Sequence, residues 1–257
     1  MTYALADISL WVSSIMWPLM RIGAMLAVAP LFGARTVPVR IRVLLGFMLA
    51  LLVSLLIPSP PVVDLISIEA LVISVHEVLI GVVMGFILQM VFAVLAMAGE
   101  YIAFGMGLGF ATMVDPQNGI QVPVVGQYYL ILATLIFLAL DGHLVLMDVL
   151  VNSFYALPIG GAGLDQDGFW ALISWGAQMF EGALLIALPV VASLLLVNIS
   201  FGIITRSAPQ LNIFAVGFPL TLLIGFALMM LSMPTLGPLF ENHLLNGFTL
   251  MQGLVGE

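Results

Sequence analysis

From Phe169 to Ile204 the chain runs through 36 residues with a single charged side chain, Glu181. A helix on the surface of a soluble domain needs a polar face towards water, and this run has none to offer. It reads as a membrane helix, yet it is longer than the ~20 residues that cross a bilayer. A tilt, a kink at Pro189 or an extension beyond the hydrocarbon is therefore expected. The rest of the chain has the same character. Five basic and 13 acidic residues serve 257 positions, and 63% of the residues are hydrophobic, which leaves too little charge to coat a soluble surface. The expected fold class is an all-α integral membrane protein, a single membrane-embedded domain over residues 1–257 with no soluble domain attached.

Several chemistries drop out at once. The chain has no cysteine, so disulfides, thiolate nucleophiles and Cys-based metal sites are excluded. Its three histidines, His76, His143 and His243, lie far apart, and His76-Glu77 is not a metalloprotease pair. A net charge of −8 argues against nucleic acid. Met1 to Asp7 lacks a positive n-region, so no cleavable signal peptide is expected. No enzyme signature emerges, and no cofactor is expected.

Six long apolar segments can be counted. The first, Ile8 to Leu31, holds Arg21, an embedded charge that needs a partner or a route to the interface. Three of the five arginines, Arg35, Arg40 and Arg42, fall in the next loop, and Arg206 lies in a later break. The positive-inside rule puts both on the cytoplasmic side and both termini outside. Val43 to Ile57 is short for a span unless Val39 to Arg42 join its first turn. Pro58-Ser59-Pro60-Pro61 breaks the chain, and Asp64 and Glu69 suit a helix start. The third segment begins near Leu71, and its Gly81-xxx-Gly85 spacing invites close approach by another helix. Asp141-Gly142-His143 interrupts the run Tyr128 to Leu157, giving either a kinked helix or a helical hairpin. Leu211 to Met233 is the last clear span. Beyond Pro234 and Pro238, Phe240, Leu244, Phe248 and Met251 form an apolar stripe, which suggests a separate amphipathic helix on a membrane or partner surface.

The stretch Gly105-Met106-Gly107-Leu108-Gly109-Phe110, continuing through Met113 to Asp115-Pro116, breaks this pattern. It is apolar enough for a membrane, but three alternating glycines cost roughly 1 kcal/mol each in a helix. Irregular backbone is not tolerated against lipid. The stretch must lie against protein or line a cavity. Met84, Met90 and Met97 gather near it, and methionine adapts to irregular gaps.

Glu77, Glu100, Asp141, Asp148 and Glu181 sit in apolar surroundings. Such groups can form a proton or cation relay. They can equally cap broken helices, pair with Arg21 or the arginine loop, or face a polar lumen.

Several pieces in series carry a family resemblance: Ala29-Pro30-Leu31-Phe32-Gly33-Ala34-Arg35-Thr36-Val37-Pro38 with Arg40, Gly107-Leu108-Gly109-Phe110-Ala111 with Asp115-Pro116, Asp141-Gly142-His143, Leu157-Pro158-Ile159-Gly160-Gly161, and Arg206-Ser207-Ala208-Pro209-Gln210-Leu211-Asn212-Ile213-Phe214 through Gly217-Phe218-Pro219-Leu220. In this order and spacing, over nearly its whole length, the chain resembles the FliR family of flagellar export-gate subunits, which includes the virulence type III secretion counterparts. The resemblance implies a non-enzymatic structural and gating subunit of the flagellar type III protein-export channel. Its implied partners are FliP, FliQ and FlhB, and its implied cargo is unfolded flagellar export substrates. One copy would complete a ring of FliP subunits, with FliQ packed outside and FlhB around the cytoplasmic-side entrance. Residues about 1–125 would be FliP-like and about 126–257 FliQ-like. Kinked helices and helical hairpins packed in a larger helical assembly would replace simple spans. The assembly would sit in the bacterial inner membrane at the flagellar basal body, partly projecting toward the periplasm. By the same resemblance, Gly105 to about Gln121 would plug the closed pore, through Gly105, Met106, Gly107, Leu108, Gly109, Phe110, Met113, Asp115 and Pro116. An alternative class is a proton- or ion-coupled secondary transporter that uses the embedded carboxylates and broken helices.

Overall fold

The computed structural model describes residues 5–34, 37–61, 63–64, 67–109, 124–161, 163–207 and 213–255. Among these residues the chain forms helices and no strand. The helices are α1 (Leu5–Val28), α2 (Val39–Ser54), α3 (Ile68–Gly105), α4 (Val124–Ala139), α5 (Gly142–Ala156), α6 (Gln166–Ser207) and α7 (Ile213–Val255). The chain is an all-α integral membrane protein.

Local chemistry sets the helix ends. Ser67 caps α3, its Oγ accepting from the Ala70 amide at 3.1 Å. Asp165 caps α6, its Oδ1 accepting from the Gly168 amide at 2.8 Å. The run that starts in α4 breaks at Leu140 and Asp141. Asp141 adopts a left-handed φ of 53°, which Asp tolerates better than most residues. The result is a bent pair of helices, α4 and α5, where the sequence left a kinked helix and a hairpin open.

Among the described residues four helices are long and apolar enough to cross a membrane, or five if the α4–α5 pair counts as one span. The sequence count of six is corrected here. Residues from Val39 do join α2, but its 16 residues reach only about 24 Å at ~1.5 Å per residue. The tail is corrected as well. No separate helix follows Pro234, because α7 runs unbroken through Pro219, Pro234 and Pro238. Proline is tolerated within apolar helices more readily than in soluble ones, and the packing of the residues beyond Pro238 holds this one together. The tail stripe Phe240, Leu244, Phe248 and Met251 is buried within the chain, while Glu241, Asn242, Asn246 and Gln252 stay exposed.

The chain divides into two compact units. The first comprises Met1–Met90, Asp141–Gly176 and Leu244–Glu257. In it α1 packs on α2. The turn between them is held by Arg42, which donates to Phe32 O at 2.9 Å and Ala34 O at 3.3 Å. On its other side α1 lies against α3 along a glycine seam. A Cβ on Gly81 would collide with Arg21 O, and one on Gly85 would lie 2.8 Å from Met25 O. This is the close approach that the Gly81-xxx-Gly85 spacing allows.

The second unit comprises Val91–Leu140 and Ala177–His243. Phe92 packs edge-on against Phe137 and Phe240, with ring centroids 5.4 and 5.6 Å away. Gly99 on α3 lies against Gly126 on α4, where a Cβ would come within 2.9 Å of the Gly126 Cα. The central role of α3 shows in its burial: 67% of its apolar window is buried, against 22% for α6 and for α7.

Candidate functional site

Two features stand out, one in each unit. In the second unit, α3 ends where the glycine-rich stretch begins. The Gly107 amide donates to Phe104 O and the Leu108 amide to Ala103 O, both at 3.0 Å. Gly107 has φ +83°. This pair of bonds around a left-handed glycine is a Schellman cap, which satisfies carbonyls the helix end would otherwise orphan. The cap is anchored by side chains. Met106 is fully buried and occupies the space a side chain on Gly225 would need, its Cγ 2.6 Å from the ideal Cβ position there. Phe218 of α7 faces Gly107, and Leu194 of α6 faces Gly105. Of the residues expected in the loop, Gly105, Met106, Gly107, Leu108 and Gly109 are therefore placed at a fixed root. Phe110, Met113, Asp115 and Pro116 lie outside the described residues.

In the first unit, Arg21 is fully buried and Glu77 is 1% exposed. The seam at Gly81, one turn past Glu77, brings the α1 backbone close enough for the two side chains to meet. Arg21 Nε donates to Glu77 Oε2 at 2.8 Å and an Nη to Oε1 at 3.0 Å, a bidentate pair. The remaining donors go to α5. One Nη reaches Ser153 O at 2.8 Å and Ser153 Oγ at 3.0 Å, and the other reaches Leu157 O at 2.9 Å. The guanidinium also stands 4.1 Å from the Phe154 ring centroid. All five N–H directions of the fork are used.

The other expected residues are spread between the units. Glu100 is half-buried, and Asp141 and Glu181 are exposed. Asp148 is exposed and accepts from Asn152 Nδ2 at 3.2 Å. Arg40 and Arg206 are exposed, Arg42 is held by its carbonyls, and Arg35 lies outside the described residues. Among the described residues no group of three or more His, Asp or Glu could hold a metal. Sequence reasoning missed Ser153, Phe154 and the Leu157 carbonyl around Arg21, and the Met106–Gly225 contact at the root. A lone serine in an apolar helix was the available signal for the first. Nothing marked Gly225 among 25 glycines.

Residues 12–247 match the family described as Bacterial export proteins, family 1. The chain is 40% identical over 249 residues to the flagellar biosynthetic protein FliR of Escherichia coli (strain K12), covering 96% of this chain and 94% of that protein. It is 34% identical over 226 residues to FliR of Bacillus subtilis (strain 168), covering 86% of each. With FliR of Aquifex aeolicus (strain VF5) it shares 32% over 232 residues, 90% of each.

Proposed function

The chain belongs to the bacterial export proteins of family 1, a membrane-embedded component of the flagellar export apparatus, and from that premise we propose that it is a structural and gating subunit of the flagellar type III export channel. It completes a pore together with FliP and FliQ subunits and meets FlhB at the cytoplasmic-side entrance. Unfolded flagellar proteins are the cargo. The assembly sits in the bacterial inner membrane at the flagellar basal body and projects partly toward the periplasm. Residues about 1–125 supply a FliP-like part and about 126–257 a FliQ-like part. The role is non-enzymatic.

The observation that carries an assembly role is the surface of α6. Its exposed large apolar side chains extend from Trp170 to Ile203, about 50 Å along the helix at ~1.5 Å per residue. A hydrocarbon core of ~30 Å covers that length only at a tilt beyond the usual ~40° limit. The part of α6 that extends beyond the hydrocarbon is covered, in this reading, by neighbouring subunits.

The gating role rests on the capped root at Gly107. A helix end fixed by Met106 against Gly225 gives the apolar stretch that follows a defined point of departure. In the closed channel that stretch, through Phe110 and Met113 to Asp115-Pro116, fills the pore. The test removes residues 110–114 and leaves the Gly107 cap intact. The assembled complex, reconstituted in a bilayer, is expected to pass ions that the unaltered complex holds back, with its subunit composition unchanged. Equal conductance in both would overturn the plug.

A further inference from the structure

The loop between α5 and α6 contains the Leu157-Pro158-Ile159-Gly160-Gly161 run, which the channel reading leaves without a task. Four contacts hold it. Gly160, at φ +84°, lies against Pro61 and Ile73, and Gly163, at φ +73°, lies against the His76 ring. Ile159 packs on the cluster of Trp17, Ala70 and Ile73. The fourth contact is polar. Arg21 bonds Ser153 O and Leu157 O, the carbonyls at the C-terminal end of α5. Ser153 O also accepts from the Leu157 amide at 3.0 Å, whereas Leu157 O lies just past the last turn, and a cation there meets the negative end of the helix dipole.

We infer that Arg21 is a positioning residue that couples the α1–α3 crossing to the placement of the Leu157–Gly163 loop. One face of its guanidinium fork is set by Glu77, and the opposite donors tie down the end of α5 and the first residue of the loop. The same loop walls a groove of about 570 Å³ facing the end of α7, with Leu157, Gly163, Asp165, Thr249 and Leu254 in its lining. The guanidinium therefore fixes one wall of that groove from inside the helix bundle. Lysine cannot substitute. A point ammonium keeps the charge opposite Glu77 but lacks the planar fork that reaches the carboxylate and both carbonyls together. This inference does not rest on the channel reading.

The absence of native cysteine makes the test direct. Full-length protein carrying Ile159→Cys is alkylated with N-ethylmaleimide in isolated membranes, in three backgrounds: unaltered, Arg21→Lys, and Arg21→Met with Glu77→Met. A parallel series carries Ala50→Cys, at a fully buried position in the same unit. In both altered backgrounds the cysteine at 159 is expected to react about tenfold faster, while the cysteine at 50 stays slow. Unchanged rates at 159 in the lysine background would overturn the coupling and leave the loop held by apolar packing. Equal acceleration at 50 and 159 would overturn it too, because Arg21 would then be a general stabiliser.

Discussion

A buried arginine in an apolar helix is either satisfied or ruinous, and Arg21 is satisfied. Removing one partner leaves a lone charge in a dry site, which costs about 3–5 kcal/mol, whereas replacing both by apolar groups of similar volume is often close to neutral. Arg21→Met or Glu77→Gln alone is therefore expected to lower the thermal midpoint of the purified chain sharply. The double variant, Arg21→Met with Glu77→Met, is expected to recover most of that loss. It would still fall short by ~1–3 kcal/mol, because Leu157 O loses the Arg21 donor while Ser153 O keeps only the Leu157 amide. A double variant as unstable as the worse single one would show that the pair itself is not the source of the effect. The sequence announced Arg21 as a charge in need of a partner. It offered five acids in apolar surroundings and no ground for choosing among them. The choice is made by Gly81, which admits the α1 backbone one turn from Glu77. That is a fact of three-dimensional packing and not of spacing along one chain segment.

At the scale of the element, glycines divide into those that carry a contact and those that do not. Gly81 and Gly85 lie against α1 backbone, whereas Gly176 and Gly202, also helical, have nothing within 4 Å of an added Cβ. Gly81→Ala is expected to force α1 away and cost about 1–3 kcal/mol, as overpacking does. Gly176→Ala and Gly202→Ala are expected to be neutral or to stabilise by up to ~1 kcal/mol through helix propensity. Thermal unfolding of the purified chain separates the two groups, and equal effects across the four would dismiss the seam as a determinant. The Gly81-xxx-Gly85 seam was legible because small residues four apart share one helix face. The Asp141-Gly142 break was legible because its turn chemistry is local. The continuity of α7 was not. Pro234 and Pro238 are strong stop signals in isolation, and it is the burial of the tail stripe that overrides them.

For the whole molecule, the deciding mismatch is between apolar length and bilayer thickness. Composition made the membrane legible at once, but the hydropathy of α6 cannot say what covers it, because lipid and neighbouring subunits present the same greasy surface. Ile173 and Ile203 are 67% and 64% exposed and stand about 45 Å apart along α6 at ~1.5 Å per residue. A hydrocarbon core of ~30 Å does not shield both at an ordinary tilt. Single cysteines at the two positions, alkylated in membranes from cells lacking partner subunits, are expected to differ, with at least one reacting readily. Co-expression with FliP and FliQ subunits is expected to protect both, and native mass measurement of the purified material should then show this chain within a larger hydrophobic complex. Protection of both cysteines in the chain alone would mean that lipid suffices and would remove the physical ground for an obligatory assembly. A chain that purifies alone and supports proton-coupled uptake in liposomes would point instead to a transporter, for which Glu77 is poorly placed because Arg21 already occupies both of its oxygens.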